Sequence, residues 1–266
     1  MKPLFAPDSW LVQVGQTSRP LLRLFCFPYA GASAQIFAPW SKEMPDGVEL
    51  WALQPPGRGP RLREPLLTSI SDLAAAVTRE ILPFRDLPFA FFGHSKGALV
   101  AFETSRQLRN LNAPMPVHLI LSGTGSPDLP PTSEPIALLP KEAFIEKLRQ
   151  FNGTPPAVFD YPELLDIIVP ILRADFTACE SYWPLDSPPL DIPFTVFGGD
   201  SDPDTPEPHL QAWARHSSRD VRVSLMPGGH FFLHLSHSSF FLELRRTLER
   251  IVNSQIDYSN KAQGVV

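Results

Sequence analysis

Short apolar runs alternate along most of this chain with segments of helical spacing, and that alternation restricts the fold more than any single motif. The runs fall at 21–27, 48–53, 89–92, 117–121, 194–197 and 221–225. Between them Ile36, Phe37 and Trp40 are spaced as on a helix, and Ile70, Leu73, Ala74, Val77 and Ile81 share one helical face. A helix is expected to follow the run at 89–92, and a last one to extend from about 237 to 252. Strands that alternate with helices imply an α/β fold, a mainly parallel central sheet covered by helices on both faces. More than seventy residues separate the runs at 117–121 and 194–197, with helical patterns at 140–150, 162–173 and 174–182. One crossover helix needs far fewer, so an inserted helical lid is predicted at about 128–190, over the carboxyl edge of the sheet.

At 266 residues the chain accommodates a single domain, expected over 19–252, with a flexible segment at 1–18 and a loose tail at 253–266. The 31 prolines cluster in loops such as 54–57, 127–135 and 188–189, where they punctuate the periodic segments. A formal charge of −5 without any Lys/Arg block argues against nucleic acid as a partner. The start, MKPLFAPDSW, lacks the apolar core of a signal peptide, and no stretch approaches the roughly 20 apolar residues of a membrane span. A soluble, cytoplasmic protein is expected, with no membrane association. Cys26 and Cys179 have neither metal-ligand spacing nor a disulfide framework, so both are read as reduced and structural; no metal or cofactor is expected.

The segment 91–103 reads FFGHSKGALVAFE. A G-x-S-x-G pattern alone arises by chance in roughly one chain of this length in ten, so its context decides. Here it lies between an apolar strand and a helical pattern, which makes it a sharp strand-to-helix turn. Gly93 and Gly97 leave room for the turn to push the Ser95 hydroxyl outward, and the helix N-terminus favours negative charge nearby.

A serine hydroxyl needs a base, and the base needs an orienting carboxylate. The run at 194–197 leads into Gly198-Gly-Asp-Ser-Asp-Pro-Asp, and the run at 221–225 into Met226-Pro-Gly-Gly-His-Phe-Phe. Both loops leave the carboxyl edge that carries Ser95, and the order Ser, Asp, His is that of an α/β-hydrolase. Of seven histidines, His230 is the one in a Gly-Gly turn after a strand. His94 is expected to pack, His118 to begin a strand, His209 and His216 to flank an exposed helix, and His234 and His237 to decorate the last helix. Asp200, Asp202 and Asp204 compete for the orienting role. Asp202 is preferred, because Asp200 is closer to the strand and suited to the turn's own hydrogen bonds, while Asp204 looks solvated. Two backbone amides are needed for the oxyanion of a tetrahedral intermediate. Lys96 is expected to supply one and Ala30, in the loop Pro28-Tyr-Ala-Gly-Ala-Ser, the other, with Gly31 allowing close backbone approach.

With Phe27-Pro-Tyr-Ala-Gly-Ala-Ser, Pro56-Gly-Arg-Gly-Pro-Arg, Gly93-His-Ser-Lys-Gly-Ala, Pro170-Ile-Leu-Arg-Ala-Asp-Phe and Gly228-Gly-His-Phe-Phe in order, the chain resembles the type II thioesterases from about residue 20 to 250. These are stand-alone α/β-hydrolases that accompany nonribosomal peptide and polyketide synthases. The resemblance implies hydrolysis of acyl thioesters from the phosphopantetheine arm of a carrier protein acting in trans, clearing stalled or aberrant groups, with Ser95, Asp202 and His230 as triad. It also puts 170–176 in the lid, near the pantetheine entrance. Two positions depart from the family pattern: Ala32 where a glycine is usual, and Lys96 where an apolar residue is usual.

Lys96 and Phe231 are candidates for substrate contact. For Lys96 a second reading is open, in which its stem packs and its ammonium reaches water or a lid carboxylate. Arg58, Arg61 and Arg63 likewise have two readings: local ties to backbone and carboxylates, or a basic surface that docks an acidic carrier. An esterase or lipase acting on free small esters, and an inert hydrolase-like binding module, are the competing functions.

Overall fold

The computed structural model describes residues 9–151, 153–235 and 239–263, with side chains of the last helix described through 257. Seven strands form one sheet: β1 (Leu11–Gly15), β2 (Leu22–Phe27), β3 (Val48–Leu53), β4 (Phe89–His94), β5 (His118–Ser122), β6 (Phe194–Gly199) and β7 (Val221–Met226), in the order β1-β3-β2-β4-β5-β6-β7. All neighbours run parallel except β1, which lies antiparallel on β3. Covered on both faces, β2, β3, β4 and β6 are buried at every position, which is why they read as continuous apolar runs.

The strand period of two divides the core. Phe25, Phe27, Phe91 and Leu121 face α1 (Ile70–Ile81) and α2 (Lys96–Asn110), whereas Leu24, Cys26, Phe92 and Ile120 face Trp40 and the apolar stripe of the last helix. A third, smaller cluster belongs to the lid. It joins Phe144 and Leu148 of α3 (Lys141–Phe151) to Val169 and Leu172 of α4 (Pro162–Glu180), with Ala30 packed beneath.

Four expectations need correction. The N-terminal segment is not loose throughout, since Leu11–Gly15 pairs with β3 and Trp10 lies under the Arg61 guanidinium, 4.2 Å from the ring centroid. The helical patterns at 162–173 and 174–182 are one helix, α4. Its Pro170 forfeits a single backbone donor, and burial of Ile171, Leu172, Ala174 and Ala178 holds the following turns in place. The last helix, α6 (Ser239–Gln263), continues past Val252, where the expected tail would begin. Adding residues to an existing helix carries little of the penalty of nucleating one. The segment after β6 is a short α5 (Glu207–Gln211) followed by a 3-10 turn, and Trp213 within that turn is fully buried, so it is not an exposed helix. His237 lies outside the described residues.

Candidate active site

At the carboxyl end of β4 the chain turns sharply into α2, and Ser95 holds the turn at φ 52°, ψ −121°. Such a backbone is strained by about 1–3 kcal/mol for a residue with a side chain. It is pinned by the Ser95 N–H donating to the Ser122 carbonyl at 2.7 Å and by the Ala98 N–H donating to the Ser95 carbonyl at 2.9 Å. The two glycines serve close approach. A Cβ at Gly97 would collide with the Phe27 carbonyl, and one at Gly93 with the Gly97 carbonyl. The helix can therefore start directly above β2.

The loops after β6 and β7 bring Asp202 and His230 together, with Nδ1 of His230 2.8 Å from Oδ2 of Asp202. The buried Asp202 carboxylate also accepts from the Thr205 hydroxyl (2.7 Å) and the Asp204 amide (3.0 Å). Burial by itself would raise its pKa; the hydrogen bonds from His230, Thr205 and the Asp204 amide outweigh that and hold the carboxyl below its ordinary value. Asp200 has the other expected part: it is exposed and accepts from the Gly228 amide (3.0 Å) and the Ser201 hydroxyl, closing the turn. Thr205, which no sequence signal singles out, thus helps fix the carboxylate.

Ser95 and His230 open onto one cavity of about 330 Å³ beneath the lid, lined also by Leu99, Phe176, Trp183 and Phe231. Ala30 reaches the same space. No acceptor among the described residues takes the Ala30 or the Lys96 amide, as two oxyanion donors require. Phe231 stands edge-on to Tyr29 and stacks with His234, whose Nε2 lies 2.9 Å from the Tyr29 hydroxyl. His94 packs as expected, buried behind His230 with Nδ1 2.9 Å from the Ser122 hydroxyl.

Two assignments do not survive. The Lys96 side chain points away from the cavity and is buried, with Nζ 2.7 Å from Oδ1 of Asp175 on α4, so it is not a substrate contact; the lid-carboxylate reading holds. Nor do the loop arginines form a docking surface. Arg58 is buried and forks onto the same Asp175 at 2.6 and 3.1 Å, and Arg61 is buried against Glu64 and the Gln54 carbonyl. Arg63 alone of the three is exposed. Local backbone groups and carboxylates took up the two cations because leaving them in a loop packed under the lid unpaired would be prohibitive. Burial, opposed by Asp175 and reinforced by Arg58, lowers the Lys96 pKa. Burial would raise that of Asp175, but the two cations lower it further. Removing one member of such a buried group typically costs about 3–5 kcal/mol.

A buried His94 and a half-buried His118, with a smaller part from the exposed His234, give the fold a pH dependence. Burial first, then His230 and His234, hold His94 well below its ordinary pKa; burial and two arginines push His118 down to about 4; burial lowers His234. Below the unfolded value of about 6.5 the unfolded chain binds protons that these folded imidazoles refuse, so stability is full above that pH and is lost as pH falls toward about 4. The lowered carboxylates act only further down. Denaturation midpoints should therefore stay level from pH 8 to about 7 and drop from there to pH 5, and His118→Gln should flatten the drop; midpoints constant or rising between pH 7 and 5 would contradict it.

Ser, Asp and His follow one another along the chain on loops that leave one edge of a parallel sheet, which is the layout of the α/β-hydrolases. Within that class the thioesterase domain family matches residues 22–249, and the chain belongs to that family as a hydrolase acting on thioesters. Over 229 residues it is 42% identical to the gramicidin S biosynthesis protein GrsT of Aneurinibacillus migulanus, covering 86% of this chain and 90% of that one. The RedJ thioesterase of the prodiginine pathway in Streptomyces coelicolor superposes with a TM-score of 0.78 at 34% identity, covering 95% of this chain and 96% of RedJ. YbtT, the type II thioesterase of the yersiniabactin nonribosomal peptide/polyketide pathway, gives 0.78 at 30% identity over 92% and 97%. Among the described residues no helix is long and apolar enough to cross a membrane.

Proposed function

We propose that Ser95, His230 and Asp202 hydrolyse acyl groups held as thioesters on the phosphopantetheine arm of a carrier protein. The reading rests above all on the 2.8 Å bond from Nδ1 of His230, which lines the same cavity as Ser95, to Asp202 behind the cavity wall. With Nδ1–H given to Asp202, Nε2 is left unprotonated and free to act as base. Ser95 Oγ attacks the thioester carbonyl while its proton passes to Nε2. The carbonyl oxygen, now an anion, is stabilised by the Ala30 and Lys96 amides, and the imidazolium is stabilised by Asp202. Collapse breaks the C–S bond, and His230 returns the proton to the departing thiolate. Water, deprotonated by the same nitrogen, then releases the acid and restores Ser95.

Carrier-bound substrate is supported by the family and by relatives from assembly-line pathways. Purified protein given one acyl group as carrier thioester, as CoA thioester and as ethyl ester is expected to show kcat/KM at least about tenfold higher on the carrier, a difference of about 1.4 kcal/mol in transition-state binding. Preference for the ethyl ester would overturn the carrier assignment in favour of a general esterase.

A further inference from the structure

A carboxylate on the lid helix touches both segments that present the oxyanion amides. Oδ2 of Asp175 accepts the Gly31 N–H at 2.7 Å, one residue after Ala30, and Oδ1 lies 2.7 Å from the ammonium of Lys96, whose own amide is the other donor. Arg58 clamps the carboxylate in place with two bonds and gives a third to the Ala32 carbonyl at 3.2 Å. The Gly31 loop is a tight turn, with the Ala32 amide donating to the Tyr29 carbonyl and Gly31 at φ +79°. A Cβ at Gly31 would come within 2.6 Å of Leu172, three residues before Asp175, so α4 rests directly on this backbone.

We propose that Asp175 is a positioning residue for the oxyanion hole, fixing the Ala30–Gly31 peptide and the first turn of α2 relative to each other from the lid. The proposal rests on the reading of the Ala30 and Lys96 amides as oxyanion donors. Orienting the Gly31 N–H fixes the peptide plane that follows Ala30, while the Lys96 pair holds the start of α2 against the same oxygen atoms. A hole assembled in this way is complete only while the part of α4 that carries Asp175 stays seated. The turns before Pro170 are largely exposed, whereas Ile171, Leu172, Ala174 and Asp175 are buried, so lid motion compatible with catalysis is confined to the part before the proline.

The test separates positioning from general support of the fold. Asp175→Asn is expected to lower kcat for butyryl-N-acetylcysteamine by about 10- to 100-fold with KM nearly unchanged, the behaviour of a lost transition-state interaction. Affinity for the matching trifluoromethyl ketone, which forms a tetrahedral oxyanion on serine, should fall by the same factor, while a non-hydrolysable thioether analogue should bind as before. Because Asp175→Asn leaves two buried cations facing each other, Lys96→Met/Asp175→Asn is compared with Lys96→Met in parallel and should show the same split. An unchanged kcat, an equal loss of both analogues, or failure of both Asp175 variants to fold would overturn the proposal. Ser95→Ala, run alongside, distinguishes the failures. If it still hydrolyses, the triad reading falls; if it is inactive while Asp175→Asn is fully active, only the positioning role falls.

Discussion

Ser95→Ala should leave a folded protein whose thioester hydrolysis is lowered by about 10⁴-fold or more, the scale on which serine hydrolases respond to loss of the nucleophile. Alanine keeps the Cβ and both backbone hydrogen bonds that pin the turn, so the strained φ of 52° is neither relieved nor worsened. The thermal midpoint should thus stay close to that of the parent protein. Only the hydroxyl is removed, and no other hydroxyl stands on the elbow beside His230. A fluorophosphonate probe should label the parent protein once and the variant not at all. Turnover near the parent rate in the variant would move the chemistry away from Ser95 altogether.

That residue was legible because its neighbours had no freedom. Gly97 passes so close to the Phe27 carbonyl that any side chain collides, and a strand on one side and a helix on the other leave few conformations for the serine between them. The interior strands were legible for a related reason, since burial on both faces imposes an unbroken apolar run. β1 was not, because five residues at a sheet edge carry a weak signal and its place is secured by contacts the local sequence does not reveal, notably Trp10 beneath Arg61. Although the motif at 170–176 marks its place in the lid, the same limit hid the contacts of Asp175. It sits between an alanine and a phenylalanine in an ordinary helical pattern, and its partners Gly31, Arg58 and Lys96 are brought to it only by the fold. A signal was present in Lys96: a lysine at the start of a helix otherwise buried among Gly, Ala, Leu and Val requires a carboxylate close by. The arginine loop could not be read by density of charge alone, since a buried Arg58 and an exposed Arg63 look alike in sequence.

Asp202→Asn should lower kcat by about 10³- to 10⁴-fold, and the structure gives the reason in terms of protons. Oδ2 of Asp202 accepts from both His230 Nδ1 and the Thr205 hydroxyl, and Oδ1 accepts from the Asp204 amide. An asparagine that keeps its oxygen toward the Asp204 amide presents an NH₂ to His230, and the imidazole must then accept at Nδ1 and carry its proton on Nε2. In that tautomer Nε2 cannot take the serine proton, and the imidazolium that would form in the transition state has lost its counter-charge. Turning the amide over satisfies His230 but sets an N–H against the Asp204 N–H, so neither orientation reproduces the carboxylate. Asp200→Asn should act far more weakly, by less than about tenfold, because an amide oxygen can still accept from the Gly228 N–H and the position is exposed. Measured side by side at one pH on one thioester, the two variants should differ by at least about a hundredfold in kcat. The reverse ranking would transfer the orienting role to Asp200, 28 residues before Gly228, and would mean that the short Asp202–His230 contact holds the loop and not the proton.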